Sequence, residues 1–301
     1  YFDMTAGFIG TGNMGLPLAT HILDHEKSMS VYDVETSATR TLAEKQAHIA
    51  ASPVEVASQA ETVFACLPSV NSFRTVGAGP DGVIHGTAIK TFVNLGTMGT
   101  EAVGEIEQVL GAKGIDVFDC PITGGTQRAW DKTITAIASG PQAVFERVKP
   151  VIEAFAGEIF YIGDRVGQAQ VVKMVNNMMS LTNLASCLEG MVLGAKAGID
   201  AEKMLAVINN GSGQNSASLT KVPRHVMNRK FDLGGPMYIS QKDVTLWRDE
   251  VERLGVTQWV GNTVHHLLMQ ACAMGYGPGD MTELAKVIEQ MSDVEIPKTR
   301  E

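Results

Sequence analysis

One stretch near the start of the chain constrains the fold more than any other: Ala6-Gly7-Phe8-Ile9-Gly10-Thr11-Gly12-Asn13-Met14-Gly15. An apolar, strand-like run enters glycines at G-x-G-x-x-G spacing, and a helical pattern over Asn13–His25 follows. The spacing is mechanical. Gly10 permits a tight turn, Gly12 lets the backbone approach a pyrophosphate, and Gly15 lets the helix pack on the strand. The helix N-terminus then offers free N–H groups and the positive end of its dipole to phosphates. Thr11, Asn13 and Met14 fill the rest of this cofactor loop. A strand before and a helix after are the context that gives the motif its meaning. For the loop alone, two other readings stay open: a glycine turn that binds nothing, and an S-adenosylmethionine-binding fold.

The next strand ends Val31-Tyr32-Asp33, which puts an acid 18 residues past Gly15. A carboxylate there accepts hydrogen bonds from the adenosine ribose and repels a 2′-phosphate, which favours NAD over NADP. Arg40, the next cation, is seven residues further on and reads as solvated.

Strand-like runs recur at Ala6–Gly10, Ser28–Tyr32, Thr62–Cys66, Thr91–Leu95, Ile115–Asp119, Thr133–Ala138 and Glu158–Ile162, with a weaker one at Gln46–Ala50. Helical patterns separate most of them, among them Thr100–Leu110 and Pro141–Phe155. This alternation predicts βαβ units and a mainly parallel sheet. After about Asp164 the pattern turns helical: Gln168–Ala197, Ala201–Asn209, Ser240–Leu254, Thr257–Met274 and Met281–Met291, with a Gly/Ser/Asn loop at Gly211–Ser216. The sequence thus predicts an α/β domain over residues 1–164 and an all-α domain over residues 165–301.

Composition excludes several classes. Hydrophobic residues are 45% and charged residues 19%, which is globular rather than disordered. Lys plus Arg number 24 against 33 Asp plus Glu, a formal charge of −9, with no basic run to bind nucleic acid or an anionic membrane. Cys66, Cys120, Cys187 and Cys272 are far apart and form no C-x-x-C pair. That speaks against a zinc site or disulfide framework and predicts a reducing compartment, the cytoplasm. No run of 18 residues is purely apolar, so no membrane span is expected. Tyr1–Asp3 reads as an added stretch ahead of a native Met4.

Three further segments carry candidate chemistry. Leu67-Pro68 and Thr97 follow strand ends, where open α/β sheets bind ligands; each is also ordinary loop punctuation. In Asp119-Cys120-Pro121-Ile122-Thr123-Gly124-Gly125 a strand ends, a proline stiffens the turn, and a hydroxyl precedes two glycines. Such a nest suits a carboxylate, and it is equally the composition of a plain glycine-rich loop. The third segment is Val171–Leu188, whose single charged residue is Lys173. A helix so poor in charge is buried on most of its circumference. Burial disfavours an ammonium and tunes the amine toward general acid/base work. Asn177, at i+4, shares its face and could orient a substrate oxygen. The alternative is a lysine that snorkels to solvent.

Taken together, these motifs resemble the β-hydroxyacid dehydrogenases, the group around 3-hydroxyisobutyrate dehydrogenase and tartronate semialdehyde reductase. The matching pieces are Gly7–Gly15, Leu67-Pro68, Asp119–Gly125, Gly167-Gln168-Ala169 leading to Lys173 and Asn176-Asn177, Lys242-Asp243, and Gly277-Pro278-Gly279-Asp280. The resemblance implies a Rossmann-type domain followed by an all-helical domain. It implies that Lys173 is the catalytic lysine and Asn177 its substrate-orienting partner. Thr123, Gly124 and Gly125 are then the substrate-carboxylate loop, with Thr where Ser is usual. Leu67, Pro68 and Thr97 lie around the nicotinamide half, and Lys242, oriented by Asp243, reaches the cofactor. The implied reaction is reversible oxidation of a small 3-hydroxy acid with NAD or NADP, by a homodimer or homotetramer that pairs through the helical domain.

The chain departs from the family pattern at Gly96, where Ser is usual, at Lys132, where Gly is common, and at Ala169, where a second Gly is usual. Trp130 adds bulk near Lys132, and the loop at Gly211–Ser216 should border the substrate. Three rivals stay in view: an imine reductase of the same superfamily, against which Lys173 argues; a 6-phosphogluconate dehydrogenase, which needs a longer C-terminal region; and a non-catalytic dinucleotide-binding scaffold. His265-His266 reads as a helix surface pair rather than a metal site. Trp247 and Trp259 read as core or interface anchors.

Overall fold

A computed structural model describes residues 6–296, so the reading of Tyr1–Asp3 lies outside the described residues. The chain divides into two compact units, Tyr1–Lys173 and Met174–Glu301.

Among the described residues the first unit is built on nine strands: β1 (Ala6–Ile9), β2 (Met29–Tyr32), β3 (His48–Ile49), β4 (Thr62–Ala65), β5 (Thr91–Asn94), β6 (Asp116–Asp119), β7 (Ile122–Thr123), β8 (Ile134–Ser139) and β9 (Ala156–Gly163). Their order is β3-β2-β1-β4-β5-β6-β8-β7, with β9 on β8. Every pair from β3 to β6 is parallel. β8 runs antiparallel to β6 and β7 and parallel to β9. β1 therefore has β2 on one side and β4 on the other, and the crevice at their carboxyl ends is the switch point where such sheets bind ligands.

Side chains alternate across this sheet. Phe8, Phe64, Val93 and Phe118 pack on one face with Leu18 and Ile22 of α1 (Gly15–Glu26) and Val148 and Ile152 of α7 (Gln142–Glu153). Ile9, Val63, Phe92 and Val117 pack on the other with Val56 of α3 (Pro53–Gln59), Phe73 of α4 (Val70–Ala78) and Ile106 of α5 (Thr100–Gly111). Two covered faces explain why the strands are apolar throughout. The short elements have local causes. Ser52 caps α3, accepting from Glu55 N with Pro53 at the first turn, and Ser69 and Ser72 form a capping box on α4. The two-residue β7, the five-residue α2 (Arg40–Glu44) and the six-residue α6 (Gly125–Trp130) are too short for periodicity to reveal.

Helix α8 (Gln168–Lys196) begins in the first unit and supplies Met178, Leu181, Ala185, Leu188 and Val192 to the core of the second. The sequence predicts burial on most of the helix circumference; on the remainder Val175, Met179 and Leu193 are 45%, 63% and 70% exposed, so an apolar stripe faces outward. The second unit adds α9 (Ala201–Asn210), α10 (Met237–Leu254), α11 (Trp259–Ala271) and α12 (Leu284–Ser292). A wide-turned π-helix, Ala217–Val226, lies between α9 and α10 and was not read from the sequence. It contains Pro223, whose missing N–H breaks an ordinary α-helix but is tolerated where turns are wide. The histidine pair also differs from expectation. His266 is exposed, but His265 is buried against Thr245 and Arg248, and burial, reinforced by the Arg248 charge, lowers its pKa. Among the described residues no helix is long and apolar enough to cross a membrane, and no cluster of three or more His, Cys, Asp or Glu could hold a metal.

Lys132 has φ of 56°, the left-handed region where a Cβ meets the following carbonyl. This is the position where glycine is common in the family pattern. Lys132→Gly is expected to stabilise the protein by about 0.5–1 kcal/mol, relieved strain exceeding glycine's entropy cost. The midpoint of urea unfolding checks it.

Candidate active site

The glycine loop has the shape its spacing demands. Gly10 has φ of 91°, and a Cβ on it would lie 2.3 Å from Cys66 O. A Cβ on Gly15 would lie 1.8 Å from Gly10 O. Both are glycine for packing reasons internal to the protein. Gly12 is different: a Cβ there would meet nothing within 4 Å. The space in front of Gly12 is unfilled by protein, and it is where a pyrophosphate would approach.

Asp33 Oδ2 accepts from Thr11 N at 2.6 Å and from Thr11 Oγ1 at 3.3 Å, while Oδ1 accepts from Glu35 N at 2.8 Å. The acid thus locks the glycine loop to the end of β2. Beside it opens a cavity of about 350 Å³ lined by Tyr32, Asp33, Val34, Thr36, Ile49, Ala50 and Ala51, none of them cationic. Arg40 is exposed and does not line it. These residues fit the adenosine end of a dinucleotide.

A buried amide network lies at the carboxyl ends of β5 and β6. Gln170, on the first turn of α8, is fully buried. Its Oε1 accepts from Met98 N at 2.8 Å and Gly99 N at 3.0 Å. Its Nε2 donates to Gly96 O at 3.0 Å and Asp119 Oδ1 at 2.8 Å. Asn94 Nδ2 donates to the same two acceptors, at 3.0 and 2.9 Å, and Asn94 Oδ1 accepts from Gly96 N at 3.0 Å. The loop Gly96–Gly99, which carries Thr97, is held on both sides. The Gly96 departure has a structural counterpart, since a Cβ there would lie 2.3 Å from Met98 Cε. The Met98 side chain fills the place of the usual serine.

Asp119 is fully buried, with its carboxylate turned to the amide network and to the backbone N–H groups of Gly167 and Gln170 at the start of α8. Burial pushes its carboxyl up to about 7, against the opposing pull of the Asn94 and Gln170 hydrogen bonds. Burial likewise pushes the Cys66 thiol up to about 12 and raises that of Cys120, so neither is a thiolate nucleophile.

Just past Asp119, Thr123 ends β7 and Gly124 and Gly125 follow with φ of 140° and 81°. Consecutive left-handed positions expose backbone N–H groups and require glycine at both. Leu67 is part-buried and packs on the core of one sheet face, Pro68 is exposed, and Thr97 is buried. Lys173 is buried, 9% exposed, one turn after Gln170. The first unit therefore holds the glycine loop, Asp33, Leu67, Pro68, Thr97, Thr123–Gly125 and Lys173.

The second unit holds Asn177, Lys242 and Asp243, joined in a chain. Asn177 Nδ2 donates to Asp243 Oδ2 at 2.6 Å, and Lys242 Nζ is 2.8 Å from Asp243 Oδ1. Asn177 Oδ1 accepts from Asn176 Nδ2 at 3.2 Å, leaving one Nδ2 hydrogen for a ligand. In the loop Gly211–Ser216, Asn215 Oδ1 accepts from Ala217 N and Ser218 N, and Gln214 Nε2 donates to Asn209 O. Those side chains are engaged in shaping the loop. Sequence reading missed Gln170 and Asn94; the only signal was a polar residue on a greasy helix three positions before Lys173.

Comparison with known proteins supplies the remaining findings. Residues 5–163 match the family described as the NAD-binding domain of 6-phosphogluconate dehydrogenase. Residues 167–288 match the NAD-binding family of NADP-dependent 3-hydroxyisobutyrate dehydrogenase. The chain is 31% identical to the 2-(hydroxymethyl)glutarate dehydrogenase of Eubacterium barkeri, over 96% of each. It is 33% identical to the 3-hydroxyisobutyrate dehydrogenase of Pseudomonas aeruginosa, over 70% of each. The crystal structure of a 3-hydroxyisobutyrate dehydrogenase from Salmonella typhimurium superposes with a TM-score of 0.84 at 27% identity, covering 94% of this chain and 99% of that one.

A raised carboxyl pKa has a signed consequence. Between about 4 and 7 the native state holds a proton on Asp119 that the unfolded chain has released, so its contribution to stability falls as pH rises through that window. Asp119→Asn is expected to flatten this part of the profile. Urea unfolding of both proteins at pH 5 and pH 7.5 checks it, and equal losses in the two would contradict the burial argument.

Proposed function

The chain belongs to the β-hydroxyacid dehydrogenase family, the NAD(P)-dependent enzymes of 3-hydroxy acids, and from that premise we propose how its own residues divide the reaction. The bound nicotinamide supplies a two-electron acceptor for the hydride of the substrate's carbinol carbon. Thr123 and the Gly124–Gly125 amides hold the carboxylate and so orient the carbinol. Neutral Lys173 takes the hydroxyl proton in oxidation, and its ammonium returns it in reduction. The spare Nδ2 hydrogen of Asn177 steadies the substrate oxygen, with Asp243 fixing the amide. Gly10, Thr11, Gly12, Asn13, Met14 and Gly15 receive the pyrophosphate, Asp33 the ribose, and Leu67, Pro68 and Thr97 border the nicotinamide half. For Lys242 the cofactor role rests on the resemblance alone.

The observation that carries the reading is the pairing, within one unit, of a glycine cradle left open at Gly12 with a buried lysine one turn from Gln170. Gln170 ties that turn to the loop bearing Thr97. An imine reductase would have no use for Lys173 at this helix position. Asp33 and the cation-free cavity beside it favour NAD over NADP. The chemistry suits a reducing, cytoplasmic setting, with all four cysteines free.

The experiment is a panel of small 3-hydroxy acids with NAD and NADP, followed at nicotinamide absorbance. Wild type is expected to turn over at least one with a higher kcat/KM for NAD. Lys173→Ala is expected to lower kcat about 100-fold or more while NAD affinity stays within about twofold. An unchanged kcat would remove Lys173 from the proton step.

A second copy of this chain is the proposed partner. Trp259 is 85% exposed and borders a groove of about 500 Å³ with Met178, Met179, Trp247 and Val260. An apolar surface of this kind marks an interface rather than bare solvent exposure. Light scattering is expected to give a dimer or tetramer, and Trp259→Glu to lower the mass.

A further inference from the structure

The second unit contains a cation that the scheme above does not use. Lys221, on the π-helix Ala217–Val226, is part-buried, and its Nζ donates to Ser180 Oγ at 2.6 Å and reaches Ser180 O at 3.4 Å. No carboxylate among the described residues lies within 4.0 Å of that Nζ. Its partners are a neutral hydroxyl and a carbonyl on one residue, Ser180. Desolvation lowers its pKa to about 8, the cost of an ammonium drawn from water without an opposing charge. Buried cations are ordinarily paired, so a site of this kind calls for an anion.

Its position on α8 says which anion. Lys173, Asn177 and Ser180 stand at i, i+4 and i+7 of one continuous helix and share a face. Ser180 lies about 4.5 Å along the axis beyond Asn177 and about 10 Å beyond Lys173. If Lys173 and Asn177 serve the hydroxyl, a substrate substituent running along this face arrives beside Ser180. A monocarboxylic substrate has nothing to offer an ammonium there; a substrate with a second carboxylate several bonds away does.

We propose that Lys221, steadied by Ser180, is a specificity-determining residue that binds the second carboxylate of a dicarboxylic 3-hydroxy acid. The proposal rests on the dehydrogenase reading above and narrows its substrate class. Asn209 and Asn215 support it indirectly. They hold the start of the π-helix through Ser218 O and the N–H groups of Ala217 and Ser218, and so fix where Lys221 emerges.

The test pairs two substrates, 2-(hydroxymethyl)glutarate and 3-hydroxyisobutyrate, with wild type, Lys221→Met and Lys221→Arg. Wild type is expected to favour the dicarboxylate. Lys221→Met should raise KM for the dicarboxylate about 10- to 100-fold, with kcat within about threefold and the monocarboxylate parameters little changed; Lys221→Arg should recover part of the loss. Glutarate should raise the melting temperature of wild type but not of Lys221→Met, a readout independent of turnover that also shows the variant folds. Equal effects of Lys221→Met on both substrates, or none on the dicarboxylate, would overturn the proposal. Turnover of the monocarboxylate alone would sink it while sparing the dehydrogenase reading. Failure of wild type on both substrates with either cofactor would sink that reading, and this proposal with it.

Discussion

The first unit depends on one side-chain amide. Gln170 satisfies two backbone donors with its oxygen and two acceptors with its nitrogen, and it does so fully buried. Each of those groups, left alone away from water, would cost about 1–3 kcal/mol. One residue therefore couples three things that sequence separates widely: the loop after β5, the acid that ends β6, and the first turn of α8. Position passes from Gln170 to Lys173 through one helical turn, and to Thr97 through the loop.

Much of the fold was legible because its cause is periodic. Apolar strands alternating with helices gave the parallel sheet, and the glycine spacing marked the turn between β1 and α1. The candidate site was legible where backbone constraint leaves a compositional trace. Gly10, Gly12, Gly15, Gly124 and Gly125 are visible because no other residue does their work, and Lys173 because a charge stands out on a greasy helix. What stayed hidden was satisfied by partners far along the chain. Gln170 finds Met98, 72 residues away, and Lys221 finds Ser180, 41 residues away. No local pattern encodes such pairs. The π-helix hid for another reason: Pro223 argues against a helix until the wide turn absorbs it.

The departures from the family pattern also resolve into packing. Gly96 lacks the usual serine side chain, and Met98 occupies its place. Ala169 stands for a glycine, but the residue is helical and fully buried, with its N–H on Ser139 Oγ at 2.9 Å, so a methyl group is accommodated. Lys132 is the departure that carries strain, because a non-glycine residue holds a left-handed φ there. None of the three alters the residues assigned to proton transfer or to the substrate carboxylate.

The charge pattern gives the last step. A chain with a net charge of −9 repels its own anionic substrates at long range, although salt screens that field within about 10 Å. Recognition of an acid must then come from cations at short range, partly withdrawn from water where their fields are strong. Lys242 has its counter-ion in Asp243, so its charge is already answered within the protein. Lys221 rests on a hydroxyl, and its charge is not. Holding such a cation free costs stability in the empty protein, and that cost is returned only by a ligand bearing an anion at that point. A substrate lacking the second carboxylate gains nothing at this ammonium, so Lys221 separates the two classes of acid by what it adds to one and not to the other.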